Sequence, residues 1–264
     1  THSPLSGQSD TSKPCDMTQD MPSPDAPLRI GTRGSPLALA QAHETRARLG
    51  QAFSLPQDAF AIVVIKTTGD DRTLIDADRP LKEIGNKGLF TREIEEAILS
   101  GEIDIAVHSM KDMPVEQPAG LVLDTYLPRE DRRDAFVSLS VGALADLEQG
   151  AVVGTSSLRR KAQLLNWRPD LQIVEFRGNV QTRLKKLGDG VAVATFLAKA
   201  GLNRLGMTDE VPHSAIAADD MLPAVAQGAI GIERRMDDTR VAEMLEAIHD
   251  GPTGRMLAAE RAFL

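Results

Sequence analysis

The chain has 264 residues, 42% hydrophobic and 3% aromatic, with 30 Lys+Arg against 38 Asp+Glu and a net charge of -8. That length buries a sizeable core, commonly divided between two domains, and the apolar share excludes wholesale disorder. The acidic balance disfavours a general nucleic-acid or anionic-membrane surface; no apolar run is long enough for a membrane span, and the single cysteine, Cys15, excludes an internal disulfide framework.

Residues 1–27 read as a disordered tail, rich in Ser, Thr, Pro and Asp and without a periodic apolar face. The first residue is not methionine, so the start is expected to be processed or edited; no signal-peptide pattern stands there, and a cytoplasmic location is the default expectation. The body begins at Leu28 with a short strand to Thr32. Ser35 then caps a helix that has Pro36 at its first position. Phe60 to Ile65 is a β-branched strand. Asp71 to Lys87 has no clear period and is expected to be a mobile loop. Gly88 to Ser100 reads as a helix with Phe90, Ile94, Ala97 and Ile98 on one face, stopped by Gly101. Ile103, Ile105 and Val107 alternate as a strand.

Leu121 to Asp134 reads as a crossover between domains. A second unit follows: strand Ala151 to Val153, helix Ser157 to Asn166, strand Gln172 to Phe176, helix Val180 to Leu187, strand Val191 to Ala194 and helix Phe196 to Leu205. The Ser156-Ser157 pair and Asn179 are candidate helix caps. Pro223 to Ile232 is a further sheet-adjacent segment, Arg240 to Ile248 an amphipathic helix, and Met256 to Leu264 the start of another helix. Strands alternating with helices over short connections predict an α/β fold.

Chemistry concentrates where strands hand over to helices. Arg159 and Arg160 follow one such junction; Arg177 and Arg183 flank the next. Arginines at helix starts within an acidic protein suggest an anion pocket, the alternative being ordinary solvated side chains. The segment His108-Ser109-Met110-Lys111-Asp112-Met113-Pro114 follows a buried strand, where open α/β sheets often bind ligands; the alternative is a loop salt-bridge network. Several arginines with one carboxylate fit a polycarboxylic substrate that develops positive charge during reaction. Phosphate-loop and dinucleotide motifs are absent, and the histidines lack metal-ligand spacing, so no metal is expected.

Distinctive strings then occur in order: Thr32-Arg33-Gly34-Ser35-Pro36-Leu37-Ala38, Gly85-Asn86-Lys87-Gly88-Leu89-Phe90, Ala106-Val107-His108-Ser109-Met110-Lys111-Asp112, Gly154-Thr155-Ser156-Ser157-Leu158-Arg159-Arg160, Arg177-Gly178-Asn179-Val180 and Ala200-Gly201-Leu202-Asn203-Arg204-Leu205-Gly206. They resemble the porphobilinogen deaminase (hydroxymethylbilane synthase) family from Leu28 to Leu264. The resemblance implies deaminative polymerisation of four porphobilinogens into a linear tetrapyrrole on a covalent dipyrromethane cofactor, in haem and tetrapyrrole biosynthesis. It implies two periplasmic-binding-protein-like domains with a cleft between them, residues 28–123 plus 222–236 and residues 124–220. Residues 240–264 would begin a third α/β domain largely missing from this chain.

By the same resemblance Asp112 is the catalytic carboxylate. Arg33, Arg177 and Arg204 would bind substrate carboxylates. Lys111, Ser109, Ser157, Arg159, Arg160 and Arg183 would bind the cofactor, and Lys87 would sit in a lid loop. The implied partners are porphobilinogen and the growing oligopyrrole, with no nucleic acid, no membrane and a monomeric chain. The family's attachment cysteine would follow Leu264, so it is expected to be absent, which leaves the activity of the chain uncertain. The alternative reading is a reversible polycarboxylate-binding or effector-sensing protein.

Overall fold

The computed structural model describes residues 21–67 and 91–264. Residues 1–20 of the tail, Cys15, the 71–87 loop, Lys87 and the start of the following helix lie outside the described residues. Residues 21–27, expected as part of the disordered tail, are instead ordered: Ser23 and Ala26 form a bridge and Met21 packs on the first core. Among the described residues, two five-stranded sheets carry the body. The first is built from β1 (Leu28–Thr32), β2 (Phe60–Val64), β3 (Ile105–Ser109), β4 (Leu121–Tyr126) and β10 (Ile230–Arg235). The second contains β5 (Asp134–Ser138), β6 (Val152–Gly154), β7 (Gln172–Val174), β8 (Ala194–Ala198) and β9 (His213–Ala215). Among the described residues the helices are α1 (Pro36–Phe53), α2 (Arg92–Leu99), α3 (Leu158–Trp167), α4 (Val180–Gly188), α5 (Lys199–Arg204), α6 (Thr239–Glu246) and α7 (Gly251–Arg261).

The strand orders are β2-β1-β3-β10-β4 and β7-β6-β8-β5-β9. In each sheet the first three strands are parallel and the fourth is antiparallel to both neighbours. That fourth strand adjoins a crossing between the units. The chain leaves the first unit after β4, enters the second through β5, and returns after β9 to supply β10. Each sheet is therefore completed by a strand that directly joins a crossover.

Local chemistry explains the helix starts. The Ser35 hydroxyl accepts from the Ala38 amide at 3.3 Å and Pro36 opens α1. The helix ends at Ser54, whose φ of 55° is left-handed. Its buried face carries Gln41, Ala42, Thr45 and Leu49, so two of the residues turned inward are polar. Ile94, Ala97 and Ile98 bury one side of α2 against Ile103, Ala106 and Leu121. α6 packs Val241, Met244 and Leu245 into the same core as Leu28, Ile30 and Ile105. Leu257 of α7 joins Met110, Met113 and Leu123.

The structure moves several expected boundaries. The strand expected over Val191 to Ala194 runs from Ala194 to Ala198, and the helix expected from Phe196 begins at Lys199. An Ala/Leu-rich run favours helix locally, but Phe196 pairs with Phe136 across β8 and β5, with ring centroids 6.0 Å apart. Cross-strand packing outweighs propensity there. The Leu121 to Asp134 segment contains β4 and the first residue of β5, leaving only 127–133 as connection. α7 starts before Met256, where the Asp250 carboxylate accepts from the Thr253 amide at 2.8 Å and Pro252 occupies the first turn.

Candidate active site

The C-terminal ends of the parallel strands carry the expected chemistry. After β6, the Ser157 hydroxyl accepts from the Arg160 amide at 3.3 Å and starts α3. After β7, the Asn179 side chain accepts from the Thr182 amide at 2.9 Å and starts α4. Ser156 ties the two connections together by accepting from the Phe176 amide at 2.8 Å. Gly154 is needed for this approach, since a Cβ there would lie 2.3 Å from the Phe176 ring.

In the first unit, β3 ends at Ser109 and passes into a 3-10 turn, Met110–Asp112. Met110 is buried and its amide donates to the Ala229 carbonyl at 3.0 Å, which pins the turn to the returning crossover. Ser109 exchanges hydrogen bonds with the buried Gln41 amide at 2.8 and 3.1 Å. Behind the turn, buried His108 places Nε2 2.9 Å from Glu233 Oε2 on β10.

Lys111 and Asp112 are exposed on this turn. Crowding lowers the Lys111 ammonium below its ordinary range; Asp112 and Asp134 oppose that shift, while Arg160 and Arg183 reinforce it. Arg183 is pushed down to about 10, first by burial and then by Arg160, with Asp112 opposing. Residues of the two units therefore share one electrostatic neighbourhood: Lys111 and Asp112 from the first, Arg160, Arg183 and Asp134 from the second.

The arginines differ in how they are engaged. Arg159 and Arg160 each donate an Nη2 bond of 2.7 Å to Asp134, one to each carboxylate oxygen. Arg160 also donates to the Phe196 carbonyl at 2.9 Å. Arg183 donates from Nε to the Gly178 carbonyl at 3.0 Å. The Nε atoms of Arg160 and Arg177 are buried without a hydrogen-bond partner. Arg204 bridges the units instead of facing Lys111: it meets Glu44 of α1 at 3.2 Å and donates to the Gly228 carbonyl at 3.0 Å. Arg33 is half-buried just beyond β1.

Reasoning from sequence did not find Asp134, Gln227, Gln41 or Glu44. Each acts through a partner far along the chain, so no local pattern marks it; Asp134 and Arg160, for example, are 26 residues apart. A cavity of about 350 Å³ along the first crossover is lined by Arg129, Arg132, Arg133 and Met256 among others, and by none of the expected site residues. Among the described residues, no helix is long and apolar enough to cross a membrane.

A sequence model described as "Porphobilinogen deaminase, dipyromethane cofactor binding domain" matches residues 28–243. "Porphobilinogen deaminase" of Paracoccus denitrificans (strain Pd 1222) is 70% identical over 248 residues, covering 94% of this chain and 77% of its own length. "Porphobilinogen deaminase, chloroplastic" of Pisum sativum is 56% identical over 240 residues, covering 90% of this chain and 64% of its own. The chain thus spans 64% to 77% of the length of these two relatives. A periplasmic substrate-binding protein of an ABC transporter from Coxiella burnetii is similar with a TM-score of 0.50 at 14% identity, covering 89% of this chain and 97% of that one. That likeness shows the two-unit periplasmic-binding-protein-like fold and nothing of function.

One expectation is corrected. The absence of a cofactor cysteine, and the uncertainty about activity drawn from it, is not supported: the chain carries a cysteine, Cys15, outside the described residues. Since the chain covers 77% of its Paracoccus relative, the position of its last residue is no ground for that expectation either.

Proposed function

The chain belongs to the porphobilinogen deaminase family, and on that premise we propose that it serves the deaminative polymerisation of four porphobilinogens into hydroxymethylbilane. The observation that carries this reading is the shared neighbourhood of Asp112 and Lys111 with Arg160 and Arg183 across the two units. Porphobilinogen carries an acetate and a propionate, so every added unit brings two carboxylates and needs more guanidinium. Losing ammonia leaves positive charge on the pyrrole methylene. In this reading Asp112 stabilises that charge and holds the pyrrole N-H.

The donor set fits a dipyrromethane. The unpartnered Nε atoms of Arg160 and Arg177 call for an acceptor that the protein does not supply, and a group bearing several carboxylates would do so. Lys111, Ser109, Ser157, Arg159, Arg160 and Arg183 would hold it. When bound, it supplies the pyrrole terminus to which new units are added.

Arg33, Arg177 and Arg204 are proposed for substrate carboxylates. For Arg204 this requires exchange of its Glu44 and Gly228 contacts, which couples substrate capture to movement between the units. Lys87 is proposed for a lid. The proposed division is 28–123 with 222–236, then 124–220, with 240–264 leading towards further chain of the kind its longer relatives possess. A monomer acting in the cytoplasm on porphobilinogen and the growing oligopyrrole completes the proposal.

The test is the denatured intact mass before and after incubation with porphobilinogen. Stepwise gain of pyrrole units is the expected result. A saturable calorimetric response with no mass gain would replace this reading with reversible polycarboxylate binding.

A further inference from the structure

Asp134 is fully buried at the first position of β5, directly after the first crossover. Its Oδ2 accepts from Arg159 Nη2 at 2.7 Å. Its Oδ1 accepts from Arg160 Nη2 at 2.7 Å and from Gln227 Nε2 at 2.9 Å. Gln227 is buried in the second crossover and also donates to the Arg132 carbonyl, in the first, at 2.8 Å. Arg129 donates to the Gln227 carbonyl at 3.0 Å. One carboxylate thus joins both crossovers to both arginines at the start of α3.

An anion inside an anion-binding site is a cost, because it cancels part of the positive field that attracts carboxylates. Such a residue persists where it contributes something other than charge. Here the contribution is geometry. Asp134 and the Phe196 carbonyl occupy two donors of Arg160 and leave its Nε unpaired, so the guanidinium is fixed with one buried donor to spare. Arg159 is held by Asp134 and by the Leu222 carbonyl of the second crossover. A shift of the second crossover therefore moves Gln227, Asp134 and Arg159 together.

We propose that Asp134 is a positioning residue that orients Arg159 and Arg160 for carboxylate capture and, through Gln227, ties their placement to the crossovers between the units. This deepens the functional reading above and rests on it. Arg159 and Arg160 are assigned above to the dipyrromethane, whose terminal pyrrole receives each porphobilinogen, so misplacing their forks misaligns that terminus before and during reaction alike and shows mainly in KM.

The experiment compares Asp134→Asn, Asp134→Glu and Gln227→Met with the native protein by porphobilinogen kinetics and by NMR of the arginine Nη groups. For Asp134→Asn we expect KM to rise about tenfold with kcat changed less than about threefold. We also expect the restricted Nη signals of Arg159 and Arg160 to average towards free arginine. Asp134→Glu, which keeps the charge, recovers part of both. Gln227→Met leaves both ion pairs in place and keeps the test open should Asp134→Asn fail to fold; it raises KM about threefold with the signals retained. A folded Asp134→Asn protein with native KM and restricted signals overturns the positioning role, and native KM in Gln227→Met overturns the tie. Native protein that consumes no porphobilinogen removes the functional reading, while the Nη signals still decide whether Asp134 fixes the arginines.

Discussion

Each unit places one fully buried carboxylate on the antiparallel fourth strand of its sheet: Glu233 on β10 and Asp134 on β5. Their surroundings differ. Glu233 meets His108 at 2.9 Å, and its other oxygen has no hydrogen-bond partner. Asp134 has both oxygens occupied by two arginines and a glutamine. The first acid braces the strand behind the Asp112 turn; the second stands in the arginine cluster itself. Equivalent places in the topology therefore carry different tasks, and the neighbouring side chains decide which.

The largest effect should come from the turn that Glu233 supports. Asp112→Asn keeps the shape and removes the charge. Turnover of porphobilinogen should fall by about 10² to 10⁴, with thermal unfolding unchanged because Asp112 is exposed. A near-native rate in the folded variant would remove Asp112 from the chemistry. Next, Glu233→Gln separates the two acids. It should cost about 1–3 kcal/mol in urea unfolding while KM stays near native, unlike the rise expected for Asp134→Asn. Equal rises in KM would erase the distinction between the acids.

Arg183→Met sharpens the cost side of the second unit. Burial holds the Arg183 folded pKa at about 10, below its usual value. For a base lowered in this way, the favourable contribution exists above the unfolded pKa and is lost as pH falls through the folded one. At neutral pH its buried charge therefore opposes folding. The substitution should stabilise the fold by about 1–2 kcal/mol and weaken retention of the dipyrromethane that Arg183 is proposed to hold, as read by chemical unfolding and intact mass. The smallest effect concerns acid. Burial alone would raise the Asp134 carboxyl, but Arg160 and Arg159 bring it below its usual range. Its contribution is present above the unfolded pKa and lost as pH falls through the lower folded one. The slope of stability against pH below about 4 should therefore flatten in Asp134→Asn, as measured by unfolding across that range.

What was legible followed short-range rules. Ser35-Pro36, Ser157 and Asn179 act as helix starts where the sequence places them, because a cap acts on an amide three residues ahead. β8 was displaced because its Ala/Leu composition suits a helix, while the pairing of Phe196 with Phe136 is invisible locally. Arg204 carries the family pattern, yet its described contacts are Glu44, 160 residues away, and the Gly228 carbonyl. Asp134 looked like the end of a connection because nothing beside it in sequence marks it as a partner of arginine.

The sequence by itself determined the α/β alternation, the caps, the arginine-rich junctions and the family resemblance, all of which rest on neighbouring residues or ordered strings. Only the tertiary structure decided which charges meet. The crossovers bring β5 and β10 into the fourth place of each sheet, and that order sets Asp134 against Arg160 and Glu233 against His108. Separations of 26 and 125 residues lie beyond any local rule, so these partnerships exist only once the sheets have formed.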